Sequence, residues 1–330
     1  MRIAPFIFSF LFILIAVAIG GGMYALASWK SPGPLSEEKE IIIPQGASVA
    51  RISSILNEEN VIDHPLSFKI AARLLDKGSQ LKAGEYLFPA HISLLDTLDK
   101  LHEGSVLSRS VTIPEGLTSY QIVGLINDTP HLTDEVTEIP PEGSLLPETY
   151  SFTRGDSRQE KIKRMQEAMT KTLDELWENR AEDLPFTTKE EAITLASIVE
   201  KETGVPSERA RIAGVFVNRL KAGIALQTDP TVIYALTGGK PEDNGYGPIG
   251  RRLLRKDLGY DSPYNTYKYP GLPPGPICNP GAAAIAATLN PEEHDYIYFV
   301  ADGTGGHVFS KTLDEHNRNA AKWRKIRAAQ

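Results

Sequence analysis

Two glutamates, Glu200 and Glu202, close the run Leu195-Ala196-Ser197-Ile198-Val199-Glu200-Lys201-Glu202, whose apolar residues recur at helical spacing. At about 100° per residue, Glu200 falls between Ala196 and Ile193 at one border of the apolar stripe. Glu202 falls near the other border, beside Leu195 and Ile198, and Lys201 points toward water. A carboxyl at the edge of a core is partly desolvated, which raises its pKa and suits it to deliver a proton near neutral pH. The small Ala196 and Ser197, one turn earlier, leave room for a ligand above Glu200. Both glutamates remain candidates on these grounds.

Two further segments carry short hydrogen-bonding side chains. Leu226-Gln227-Thr228-Asp229-Pro230-Thr231 is held by its proline, and Tyr264-Asn265-Thr266-Tyr267 leads into Gly271-Leu272-Pro273-Pro274-Gly275-Pro276. Prolines remove conformational freedom in advance. Tyr264 and Tyr267 could stack on a pyranose face, while Asn265, Gln227, Thr228 and Asp229 could bind hydroxyl or acetamido groups. Turn chemistry explains either segment equally well.

Other chemistries find less support. His294, His307 and His316 lack zinc-site spacing, so no metal is expected. The glycines of Asp302-Gly303-Thr304-Gly305-Gly306 are not followed by Lys-Ser or Lys-Thr, so they form no phosphate loop. A formal charge of -7 without clustered Lys and Arg argues against nucleic acid. The one cysteine, Cys278, can form no intrachain disulfide and reads as a packing residue.

The glutamates need a helix to hold them, and the sequence marks its ends. Thr188 and Glu191 form a capping box, and Gly204 with Pro206 closes the helix, giving residues 189–203. Before it, residues 157–178 place Ile162, Met165, Met169, Leu173, Leu176 and Trp177 on one face of an amphipathic helix. A helix over residues 207–221 and its Gly223 stop follow. Asn279 as cap and Pro280 at the first position then start an Ala-rich helix to Leu289. Residues 296–300 and 307–310 read as a β-hairpin.

Upstream, Ile43-Pro44-Gln45-Gly46-Ala47-Ser48 recurs as Ile113-Pro114-Glu115-Gly116-Leu117-Thr118. Each copy is a strand, a turn and a helix capped by Ser48 or Thr118. Helices over 65–76 and 93–103 and a strand over 84–88 complete a small βααβ module, in which Tyr86 and Phe88 are best explained as core.

The first residues set the compartment. Residues 3–29 contain no charge, more than the about 20 apolar residues that span a bilayer. A cleaved signal peptide competes, because Ala25-Leu26-Ala27 resembles a cleavage site, but the stretch exceeds a signal peptide's apolar core. Arg2 on the short side and Ser36-Glu37-Glu38-Lys39-Glu40 on the other place the N-terminus in the cytoplasm. Ser31-Pro32-Gly33-Pro34 is a short stiff linker.

Taken together, the run ending at Glu202, the segments 226–231 and 264–267, Gly271-Leu272-Pro273-Pro274-Gly275 and Tyr298-Phe299-Val300-Ala301-Asp302-Gly303 resemble the YceG-like family of endolytic murein transglycosylases. The resemblance runs from about Ile41 to the C-terminal helix. It departs at Ser144 and Glu148, where the family usually shows Tyr and Asp.

The resemblance implies an α+β protein in four parts: an anchor at 1–30, a linker at 31–38, a LysM-like module at 39–110 and a transglycosylase domain at 111–330. It implies a single-pass protein of the bacterial inner membrane with its catalytic domain in the periplasm. It carries the catalytic role to Glu200 and substrate contact to Gln227, Thr228, Asp229, Tyr264, Asn265 and Tyr267, with no cofactor. The implied partners are peptidoglycan glycan strands and peptidoglycan synthases. A hydrolase using Asp229 as a second carboxyl and a non-catalytic wall-binding scaffold are the alternatives.

Overall fold

The computed structural model describes residues 4–241 and 248–329. Helices and strands are mixed, and the chain divides into two compact units: Met1–Arg109 with Phe152–Gly155, and Ser110–Ser151 with Asp156–Gln330.

The first unit begins with helix α1 (Ala4–Lys30), of which Phe10–Lys30 is long and apolar enough to cross a membrane. Arg2, on which the expected orientation rests, lies outside the described residues. Strand β1 (Lys39–Ile43) is followed by α2 (Val49–Glu58), α3 (Pro65–Leu74), β2 (Gly84–Phe88) and α4 (Leu94–Glu103). β1 and β2 pair antiparallel, from Lys39 opposite Phe88 to Ile43 opposite Gly84. Alternation turns Ile41 and Ile43 inward, where they meet Ile52, Leu56, Phe68, Leu98 and the stacked rings of Tyr86 and Phe88. Each such side chain contributes about 1.5–3 kcal/mol by leaving water. Trp29 of α1 and Leu35 belong to this same core. The segment between them is tied down: Gly33 N–H donates to the His91 carbonyl (3.2 Å), and His91 N–H to that of Leu35 (2.7 Å). A Cβ at Gly33 would stand 2.2 Å from the Ile92 carbonyl oxygen, so only glycine permits that approach.

In the second unit, β3 (Arg109–Thr112) pairs with β4 (Thr149–Phe152), and α5 (Ser119–Asp128) starts at a capping box between Thr118 and Gln121. Helix α6 (Arg158–Glu178) leads to α7 (Lys189–Glu202), then α8 (Arg209–Lys221), α9 (Asp229–Thr237) and α10 (Ala282–Leu289). Strands β5 (Tyr298–Ala301) and β6 (His307–Ser310) form an antiparallel hairpin, and α11 (Leu313–Ala329) packs on both. α7 is the centre, touching α8, α9 and α10.

Two features differ from the sequence reading. The Ala-rich helix starts two residues later than expected, with Gly281 at its cap position. Asn279 instead serves distant backbone, its Oδ1 accepting from Leu145 N–H (2.9 Å) and its Nδ2 donating to the Leu117 carbonyl (3.1 Å) and Glu142 (3.0 Å). Of the segment 226–231, read as proline-held and polar, residues 229–231 open helix α9 with Pro230 in its first turn.

Candidate active site

α7 owes its position to its sequence. Thr188 accepts from Glu191 N–H and Glu191 reaches back to Thr188 N–H, which fixes the start. Every residue from Ala192 to Val199 is buried, so the last turn is held rigidly. Glu200 and Glu202, about 200° apart on the wheel, leave that turn in different directions.

Glu200 enters a closed polar cluster, with its side chain 7% exposed. One oxygen accepts from Gly281 N–H (3.0 Å), and Arg209 lies 4.0 Å from the other and 3.9 Å from Glu115. Burial raises its pKa; the Gly281 N–H opposes that shift and the Glu115 charge adds to it. A Cβ at Gly281 would stand 1.8 Å from the Glu115 carboxylate, so glycine is required where the three groups meet. The space expected above Glu200 is filled. Ser197 Oγ accepts from Ile277 N–H (3.0 Å), and the Cys278 thiol donates to the Ser197 carbonyl (3.3 Å). Burial pushes that thiol far above the ordinary range. Lys201, expected to face water, donates to the Gly116 carbonyl (3.1 Å).

Glu202 opens instead into a cleft of about 600 Å³, whose walls include Gln227, Thr228, Asp229, Tyr267, Tyr298 and His316. Its carboxyl is pushed up to about 7, first by burial and then by the negative charge of Asp229, against a favourable contribution from the Thr228 hydroxyl. That hydroxyl is buried and makes no full hydrogen bond of its own.

The cleft floor is built by long-range ties. Gln227 sits at φ 56°, a left-handed conformation unusual for a residue with a side chain. It is held there by its N–H on the Thr266 carbonyl (3.1 Å) and by Arg219, which donates to its Oε1 (2.8 Å). Arg219 is buried and also donates to the carbonyls of Ala225 and Ile297. Thr228 N–H donates to Thr266 Oγ1 (3.0 Å), and the Tyr267 hydroxyl donates to Asp229 (2.7 Å).

The expected site residues therefore fall into two groups. Gln227, Thr228, Asp229 and Tyr267 line the cleft with Glu202. Asn265 is fully buried, its amide spent on the Leu258 (3.0 Å) and Tyr260 (2.8 Å) carbonyls, which shapes the loop that carries Tyr267. Tyr264 packs on Tyr234, with ring centroids 4.9 Å apart, outside the walls of this cleft. Sequence reading missed Arg219, Tyr298, His316 and Asn317. They come from α8, β5 and α11, and no local pattern announces that these elements converge.

Residues 41–322 match the YceG-like family. A protein of Bacillus subtilis (strain 168) named endolytic murein transglycosylase is 35% identical, over 86% of this chain and 84% of its own length. A protein of the same name from Streptococcus pneumoniae serotype 2 (strain D39 / NCTC 7466) is 29% identical, over 97% of this chain and 65% of its own. Among solved structures, the crystal structure of a yceG-like protein from Listeria monocytogenes matches with a TM-score of 0.52 and 34% identity, covering 86% of this chain and 98% of that one.

Proposed function

The chain belongs to the YceG-like family, and from that premise we propose that it is an endolytic murein transglycosylase whose proton-transfer group is Glu202. It cleaves peptidoglycan glycan, the activity for which its curated relatives are named. The observation that carries the residue assignment is a carboxyl with a pKa of about 7 facing a cleft. Perturbed carboxyls of this kind mark acid/base sites. Glu200, on which the sequence reading centred, is occupied by Gly281 N–H and buried beside Arg209 and Glu115. We assign it the task of bracing the end of α7.

Protonated Glu202 donates to the oxygen between N-acetylmuramic acid and N-acetylglucosamine as the bond from C1 breaks. The resulting carboxylate then takes the proton of the muramoyl 6-hydroxyl, whose oxygen closes on C1. A 1,6-anhydro end forms, no water is consumed, and the proton count on Glu202 is restored. One carboxyl thus serves both transfers. Burial first and the Asp229 charge second favour the protonated form of Glu202, and Asp229 offsets positive charge on the cleaved sugar, while Tyr267 orients it.

The surroundings follow from the same reading. α1 is a membrane anchor with its N-terminus in the cytoplasm, residues 39–110 are a LysM-like module, and residues 111–330 are the periplasmic catalytic domain. The substrate is the nascent strand, cut beside the synthases that extend it.

Digestion of glycan strands by the full chain tests this proposal. Glu202→Gln should lose about 10²–10⁴-fold in the release of anhydro ends, whereas Glu200→Gln should stay within about tenfold of wild type. Full activity of Glu202→Gln would remove the assignment. Reducing ends in place of anhydro ends, read by mass spectrometry, would mean hydrolysis with Asp229 activating water. Absence of any cleavage would leave a wall-binding scaffold.

A further inference from the structure

Helix α3 of the small module carries an apolar stripe that no described residue covers. Leu66, Ile70 and Leu74 recur every four residues, so they share one side of the helix, and they are 64%, 43% and 72% exposed. The opposite side, with Phe68, Ala71 and Ala72, is buried in the module's core. On the helical wheel Arg73 and Lys69 border the stripe along one edge and Ser67 along the other. Both cations are exposed, and the ion pairs of this module among the described residues do not use them. The acidic groups nearby, Asp63 and Asp76, lie before and after the helix.

α1 sets the depth at which this helix stands. The apolar span Phe10–Lys30 ends at Lys30, yet Trp29 belongs to the module's core and Ala25 packs against it. Ala25 precedes Lys30 by more than one helical turn, about 7.5 Å along the axis. The module therefore flanks the last turn of the span and does not stand off from it. Asp63, His64 and Ser67 share with Ser28, Trp29 and Ser31 the walls of a cavity of about 110 Å³. α3 thus starts level with the end of α1, and the residue at the stripe's edge, Ser67, is the one beside it.

An uncovered apolar stripe edged by cations, at the mouth of a membrane span, has the make-up of an interfacial helix. Apolar side chains of such a helix enter the boundary between headgroups and acyl chains by about 5–10 Å, and Lys and Arg meet anionic lipid phosphates. A glycan strand would call for aromatic faces and hydrogen-bonding groups, and Leu66, Ile70 and Leu74 offer neither.

We infer that α3 lies in the surface of the bilayer that α1 crosses, with Leu66, Ile70 and Leu74 among the lipids and Lys69 and Arg73 on anionic phosphates. The inference rests on the reading of α1 as a membrane anchor and adds a second, lateral contact that fixes which face of the module the membrane covers.

The experiment places the full chain in nanodiscs of phosphatidylethanolamine and phosphatidylglycerol, with or without a spin label on the acyl chains. Cys278 is buried, so an environment-sensitive fluorophore attaches to an introduced cysteine. Ile70→Cys reports on the stripe and Met23→Cys on the anchor. Spin-labelled lipid should quench the emission at both positions, by about twofold or more for a side chain among the acyl chains. Adding Lys69→Glu and Arg73→Glu, both at exposed positions, should cut the quenching at Ile70 by about half and leave that at Met23 unchanged. Quenching at Met23 with none at Ile70 overturns the inference and keeps the anchor. Quenching at Ile70 with none at Met23 keeps the lipid-facing stripe and removes the anchor, and quenching at neither removes both. Emission at Ile70 that responds to added glycan strands or to a second chain in the disc, and not to labelled lipid, gives the stripe to a glycan or to another copy and overturns the inference as well.

Discussion

At the scale of single residues, the function turns on how far a carboxyl can be displaced from its ordinary pKa. Glu202 is raised from 4.5 to about 7, so kcat/KM should be level below about pH 7 and fall tenfold per unit above it. The same shift has a stability consequence of definite sign. Between pH 4.5 and 7 the native state binds the proton that the unfolded state has released, so stability declines as pH rises through that window. Glu202→Gln removes this penalty. Its unfolding free energy should match wild type at pH 4 and exceed it at pH 8 by up to about 3 kcal/mol, at ~1.4 kcal/mol per pKa unit. Urea titrations at the two pH values decide the matter, and equal differences at both would mean that Glu202 is not desolvated.

At the scale of elements, much of the frame was legible because local chemistry encodes it. Thr188 with Glu191, Thr118 with Gln121, and Ser48 with the amide of Arg51 mark helix starts through side chains three residues apart. Partners distant in sequence were not legible. Asn279 looked like a cap because Asn-Pro-Gly has the grammar of one, yet its amide reaches Leu145, Leu117 and Glu142 instead. The two glutamates could be placed on the borders of a stripe, but which border faces a cleft depends on the 276–279 loop closing over Ser197. Asn279→Ala would strand the buried Leu145 N–H and remove one donor each from the Leu117 carbonyl and Glu142, which keep their bonds from Asn279 N–H and Ser119 N–H. It should cost about 2–4 kcal/mol in denaturant titration, whereas loss of a simple helix cap costs about 1 kcal/mol.

At the scale of the whole molecule, the two units carry different burdens. Glu85 in the first is buried between Arg109 and Arg154, the latter at 2.9 Å. Burial works against its charge, but the two guanidiniums prevail and hold its pKa below the ordinary value. Its contribution is therefore present above about pH 4.5 and lost as acid protonates it. Hydrogen exchange at pH 3.5 should quicken in β1 and β2 before α7, and Glu85→Gln should show that quickening already at pH 7. Trp29 and Leu35 lie in the core of that same unit, and the backbone between them is fastened at Gly33 and His91. A helix so joined to its neighbour is a mast stepped into a hull, not a leash. Whatever holds the mast, the height and heading of the small module are set by it, without the swivel that a loose tether would allow.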